Sequence, residues 1–167
     1  GRRKRGGWRG RECDEKGADM LVDAGRQLAG PVGLKILGDG PLGDVVAKAA
    51  ALDSRIQWMG QCSSQEVDSI IGEAKCVLLP SICFETFGRT VIEAFCKGTP
   101  VVVSDGGAIA ELVREGDTGF LFESGNADQL LAKLNMLLDD TAPQEMRAAA
   151  RREYERKYTA KENYRQM

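Results

Sequence analysis

SICFETFGRTVIEAFCKGTPVVV, residues Ser81 to Val103, decides how the rest of this 167-residue chain is read. Cys76–Leu79 just before it and Pro100–Val103 at its end are short, unbroken apolar runs. That is the pattern of strands buried on both faces. Between them the sequence predicts a loop and a short helix starting near Gly88. This segment carries two glutamates, Glu85 and Glu93, eight positions apart around Phe87-Gly88. A helix start presents free backbone N–H groups and the positive end of the dipole. Residues Phe87, Gly88, Arg89 and Thr90 therefore suit a phosphate without any special side chain, or form an ordinary helix start. Gly88 would let the ligand approach closely, and the Thr90 hydroxyl adds a donor.

Outward from this segment the same alternation repeats. Toward the N-terminus, Ala18, Leu21, Ala24 and Leu28 form a helical stripe from Glu15, stopped by Gly30-Pro31. Val32–Leu37 reads as a strand running into the turn Gly38-Asp39-Gly40-Pro41, Leu42–Leu52 as a helix, and Arg55–Met59 as a strand closed by Gly60. Ser63, Ser64 and Glu66 give a capping-box signal ahead of Val67, Ile70, Ile71 and Ala74. Toward the C-terminus follow a flexible loop, Ser104–Gly107, a short helix, Ile109–Val113, and a strand, Phe120–Phe122. Asn126 then caps a leucine-striped helix.

Alternating strands and helices imply an α/β fold, a Rossmann-like doubly wound parallel sheet with helices on both faces. Ligands of such sheets bind beyond the carboxyl ends of the strands. The loops Gly38–Pro41, Pro80–Gly88 and Ser104–Gly107 would then share one rim.

The two ends read differently. Gly1–Arg11 is strongly basic, with Trp8 its only large apolar residue, so it is poor strand material. Gly1–Arg11 reads as a solvated tail or linker, with residues 1–7 the basic linker, and a phosphate-facing loop or contact with RNA or a membrane as the alternatives. Residues 143–167 read as a charged helical extension, solvated or docked.

Composition excludes several functions. A net charge of -2 gives no whole-chain case for nucleic acid or an anionic membrane. No apolar run approaches the length of a spanning helix, and no signal peptide is visible. Five cysteines without a C-x-x-C pair argue against a disulfide framework or zinc site and fit a reducing cytoplasm. The absence of histidine removes a Ser-His-Asp triad and most catalytic zinc sites. A two-carboxylate glycosidase is disfavoured, because Glu85 and Glu93 share one loop-helix segment instead of flanking a cleft.

The remaining chemistry is charge balancing. Arg11 and Lys16 supply cations near the expected end of a first strand, where they would neutralise a diphosphate or pair with Asp14 and Glu15. Glu85 lies ahead of the helix and suits ligand hydroxyls or the helix dipole. Glu93 leans back toward the helix start, as an acid for ribose hydroxyls or as a surface residue.

The stretches GRECDEKG (Gly10–Gly17), GDGP (Gly38–Pro41), ETFGRTVIEA (Glu85–Ala94) and GGAIAELV (Gly106–Val113) together resemble the donor-binding half of a GT-B glycosyltransferase of the retaining family 4, or group 1. The resemblance runs from Gly10 to Leu138. It implies one nucleotide-sugar-binding domain, residues 1–167, and a donor that is a UDP-, GDP- or ADP-linked hexose. Arg11, Lys16 and the backbone near Gly88, Arg89 and Thr90 would contact the diphosphate. Glu85 would hold the donor sugar and Glu93 the ribose, with Phe87, Gly38 and Gly40 at the same rim and base readout by backbone near Trp58–Gly60. The family typically needs no metal or other cofactor. The acceptor-binding N-terminal domain of such enzymes has no counterpart here, so the chain alone is expected to be inactive. A cytoplasmic location is implied, with peripheral membrane association of the full-length enzyme left open. The competing readings are a non-catalytic nucleotide-binding or regulatory module and a GT-B-fold epimerase.

Overall fold

A computed structural model describes residues 5–9, 15–38, 43–80, 88–139 and 143–159; of residues 5–9, 15, 16, 18 and 143 it describes the backbone only. Six strands form one parallel sheet: β1 Arg5–Arg9, β2 Gly33–Leu37, β3 Ile56–Gly60, β4 Val77–Leu79, β5 Val101–Asp105 and β6 Gly119–Glu123. Their order is β3-β2-β1-β4-β5-β6. Seven helices connect and follow them: α1 Glu15–Gln27, α2 Gly43–Leu52, α3 Ser64–Glu73, α4 Arg89–Cys96, α5 Ala108–Leu112, α6 Ala127–Leu138 and α7 Pro143–Lys157. This is the doubly wound α/β architecture expected from the alternation.

The two faces of the sheet hold separate cores. Leu34, Ile36, Leu78, Val102, Phe120 and Phe122 pack beneath α1, α2 and α6. Val77, Leu79, Val101 and Val103 pack on the other side with Val67 and Ile71 of α3 and Val91, Ala94 and Phe95 of α4. Neighbouring residues of β4 and β5 thus alternate between two buried layers, which is why both strands read as unbroken apolar runs. Local signals also fold as written. Ser63 caps α3 and forms a reciprocal capping box with Glu66, and the Asn126 side chain accepts from the Gln129 N–H at the start of α6.

Two sequence expectations need correction. The basic start is not all linker: Arg5–Arg9 forms β1, paired to β2 on one side and β4 on the other. A glycine-rich strand is held there by two neighbouring ladders, not by its own propensity. Ser104 and Asp105 belong to β5, where they pair with Phe122 and Glu123, so the loop starts at Gly106.

The charged end is a helix as expected, and of the two readings, solvated or docked, it takes the second, with Met146, Ala149, Ala150 and Glu153 buried. Its arginines close the carbonyl ends of other helices. Arg147 donates to the carbonyls of Gly72 (3.1 Å) and Ala74 (2.8 Å) at the end of α3, and Arg151 donates to the Cys96 carbonyl of α4. Cations suit these negative dipole ends. Among the described residues, no helix is long and apolar enough to cross a membrane.

Candidate functional site at the carboxyl rim

The sheet order places the topological switch between β1 and β4, whose chain directions from the centre diverge. The chain leaves β1 toward α1 and leaves β4 toward α4, so the starts of these two helices flank the crevice. The first turn of α1 lies against the end of β4: a methyl group on Gly17 would stand 3.7 Å from the Pro80 carbonyl oxygen. Lys16 is the residue before Gly17, and its backbone belongs to this turn.

At the start of α4, Gly88 occupies the N-cap position with φ 54° and ψ 27°, and among the described residues no side chain caps the helix. Its carbonyl accepts the first helical bond from the Ile92 N–H at 3.1 Å. The N–H groups of the first turn have no helical acceptors, and Gly88 has no side chain to cap them. Gly88 itself is buried, and a methyl group there would overlap Leu112 Cδ1 of α5.

The side chains of α4 divide by face. Thr90 is 4% exposed and turns inward with Val91, Ala94 and Phe95. Arg89 and Glu93 lie on the outer face as an ion pair of 3.2 Å, their side chains 85% and 23% exposed. Glu93 thus leans one turn back toward the helix start, the direction expected of a helical side chain. Both residues border a groove of about 460 Å³, floored by Ile92, Cys96 and Tyr154.

On the other side of the switch, Gly38 ends β2 with φ 111°. Its N–H donates to the Gly60 carbonyl at 2.8 Å, and its carbonyl accepts from the Trp58 indole N–H at 3.0 Å. The carboxyl ends of β2 and β3 are therefore tied together at the rim.

Of the residues singled out from sequence, Gly38, Gly88, Arg89, Thr90 and Glu93 are described and lie at or beside the rim. Lys16 is placed by its backbone alone. Arg11, Gly40, Glu85 and Phe87 lie outside the described residues. Two contacts were not legible. The fit of Leu112 against Gly88 joins segments far apart in sequence, and the Trp58 indole bond belongs to a residue noted only for its backbone. Among the described residues, no group of three or more Cys, Asp or Glu stands close enough to hold a metal ion.

Comparison with known proteins agrees with this architecture. The family described as "Glycosyl transferases group 1" matches residues 10–157. The phosphatidyl-myo-inositol mannosyltransferase of Mycobacterium leprae is 32% identical over 146 residues, which are 86% of this chain and 39% of that protein. The 2-deoxystreptamine N-acetyl-D-glucosaminyltransferase of Niallia circulans is 29% identical, over 89% of this chain and 40% of its own. The crystal structure of Anabaena Alr3699/HepE in complex with UDP and glucose superposes with a TM-score of 0.85 at 25% identity, covering 99% of this chain and 47% of that one. The chain thus spans less than half the length of these relatives. A GT-B-type C-terminal half, with its parallel sheet and rim, accounts for both the match and its extent: the chain belongs to the group 1 glycosyltransferases.

Proposed function

We propose that this chain is the donor half of a retaining glycosyltransferase that takes a hexose from a nucleotide-diphospho-sugar. The observation that carries the reading is the start of α4 beside the switch point, where the N-cap is a glycine at φ 54° that offers no side chain to the first-turn N–H groups. Backbone N–H groups of Gly88, Arg89 and Thr90 would hold the diphosphate there, helped by the dipole and by Arg11 and Lys16. That arrangement balances the charge of the leaving diphosphate without a metal. On this reading Phe87, Gly38 and Gly40 would complete the rim, Glu85 would receive the sugar hydroxyls and Glu93 the ribose. The UDP and glucose bound by the Anabaena relative support the class of donor.

In the transfer, the bond from the sugar C1 to the diphosphate oxygen breaks as the acceptor oxygen bonds C1 on the same face. The leaving phosphate takes the acceptor's proton. The acceptor, a glycan, lipid or small molecule, would be held by an N-terminal half such as the longer relatives have room for. The chain alone would bind donor and transfer nothing.

Calorimetric titration with UDP, GDP, ADP and the matching sugar-linked donor tests this. Glu93→Ala should weaken both nucleoside diphosphate and donor, whereas Glu85→Ala should spare the diphosphate and weaken the donor alone. The Arg89–Glu93 pair is too exposed to contribute more than about 0.5 kcal/mol, so its loss would not mimic the effect. Equal loss of both ligands in the two variants would sink the division of roles. No binding by the unaltered chain would favour a non-catalytic module.

A further inference from the structure

Trp58 lies on β3, the edge strand of the sheet, and is 40% exposed. A tryptophan gains most from burial of its large apolar surface, so its place at an open rim calls for another explanation. Its polar end is satisfied: the indole N–H donates to the Gly38 carbonyl at 3.0 Å. Its six-membered ring lies against Gly43, the first residue of α2. A methyl group on Gly43 would come within 3.0 Å of Cη2 and 3.1 Å of Cζ2. One side chain therefore holds the first residue after β2 and the first residue of α2 at once. Gly38 needs such a hold, because its φ of 111° is a conformation L side chains rarely adopt, and a glycine there is otherwise free to leave it.

We propose that Trp58 is a positioning residue, which clamps Gly38 to Gly43 and so sets the rim on which the nucleoside end of the donor rests. The assignment rests on the donor reading above, in which Gly38 and the backbone of Trp58–Gly60 belong to that end of the site. The clamp acts through Gly38 and Gly43, and Trp58 itself touches no reacting atom.

Trp58→Phe keeps an aromatic ring on β3 and removes the N–H donor together with the ring atoms nearest Gly43. Nucleoside diphosphate affinity should fall about 3- to 10-fold, the value of one lost hydrogen bond, with the thermal midpoint nearly unchanged. Gly43→Ala should push the indole aside and weaken affinity in the same direction. In the Trp58→Phe background it should add almost nothing, because the atoms it would strike are gone. The ligands are UDP, GDP and ADP, titrated into the chain and each variant. Unchanged affinity in Trp58→Phe, or additive losses in the double variant, would overturn the clamp while leaving the donor reading intact. A lower thermal midpoint without loss of affinity would reduce Trp58 to a structural residue, also against the proposal. An unaltered chain that binds none of the three overturns the donor reading, and this role with it.

Discussion

Gly88 shows how much one residue constrains the candidate site. Its φ of 54° lies in the left-handed region, and a β-carbon there would meet Leu112 Cδ1. The backbone strain of a left-handed alanine is about 1–2 kcal/mol. The overlap adds little by itself, since the end of a half-buried leucine side chain can move. Gly88→Ala should therefore destabilise the chain by about 1–2 kcal/mol in urea unfolding. Adding Leu112→Ala should not restore the nucleotide affinity lost with it, because the first-turn N–H groups are aimed by φ at Gly88. Full restoration by the second change would mean that crowding, not backbone conformation, matters here. Glycine at a helix start after an apolar strand was legible in the sequence, and so was the rim position it implies. The division of α4 into an inward Thr90 and an outward Arg89–Glu93 pair was only half legible: the four-residue spacing permits the pair, but which face is buried depends on the sheet beneath.

Among the elements, α7 was legible as a helix, but whether it stands in solvent or docks was not. Met146, Ala149, Ala150 and Glu153 recur at helical spacing, yet only the methionine is a large apolar residue, so the stripe gave no hydrophobic signal. Burial there follows from small side chains that let the helix approach α4 closely and from the arginines that close the ends of α3 and α4. β1 was missed for a related reason, since its place depends on the ladders of β2 and β4. Strands β4 and β5 and the capped helices α3 and α6 were legible because their signals are local.

Glu153 is the sharpest test of α7. The carboxylate is 1% exposed and meets Lys157 at 2.6 Å, Arg156 at 3.0 Å and Arg114, ahead of β6, at 3.4 Å. Burial alone would raise its pKa, but hydrogen bonds from Lys157 and Arg156 and the charge of Arg114 hold it below the ordinary glutamate value of 4.5. A lowered folded pKa means that the stabilisation is complete above the unfolded value. It is lost as pH falls from about 4.5 toward the folded pKa. Glu153→Gln should cost about 1–3 kcal/mol at neutral pH, and the deficit should shrink below pH 4.5 as the native carboxylate protonates. The partners keep roughly half of their surface in water, which argues against a larger loss. Parallel stability curves for the two proteins from pH 7 to 3 would show that these contacts contribute nothing through charge.

For the whole molecule, the decisive property is that one sheet has a core on each face and the candidate ligand rim along its carboxyl edge. A ligand held at that edge and nowhere on the unfolded chain must stabilise the entire domain. Cys76, which leads into the central strand β4, reports on this. It is buried beneath α1, and burial pushes its thiol up to about 12, so alkylation requires that the domain open. Cys62 and Cys96 are half-buried and serve as internal controls that react from the folded state. In pulse alkylation read by peptide mapping, Cys76 should react far more slowly than either. With the best-binding nucleoside diphosphate at 100 times its dissociation constant, labelling of Cys76 should slow by a further factor of about 100. If Cys76 instead reacts at a rate that saturating nucleotide leaves unchanged, while calorimetry still reports binding, then α1 and β4 separate without disturbing the ligand. The start of α1 would then be no part of the site, and Lys16, next to Gly17 and Pro80, would lose its place beside the diphosphate.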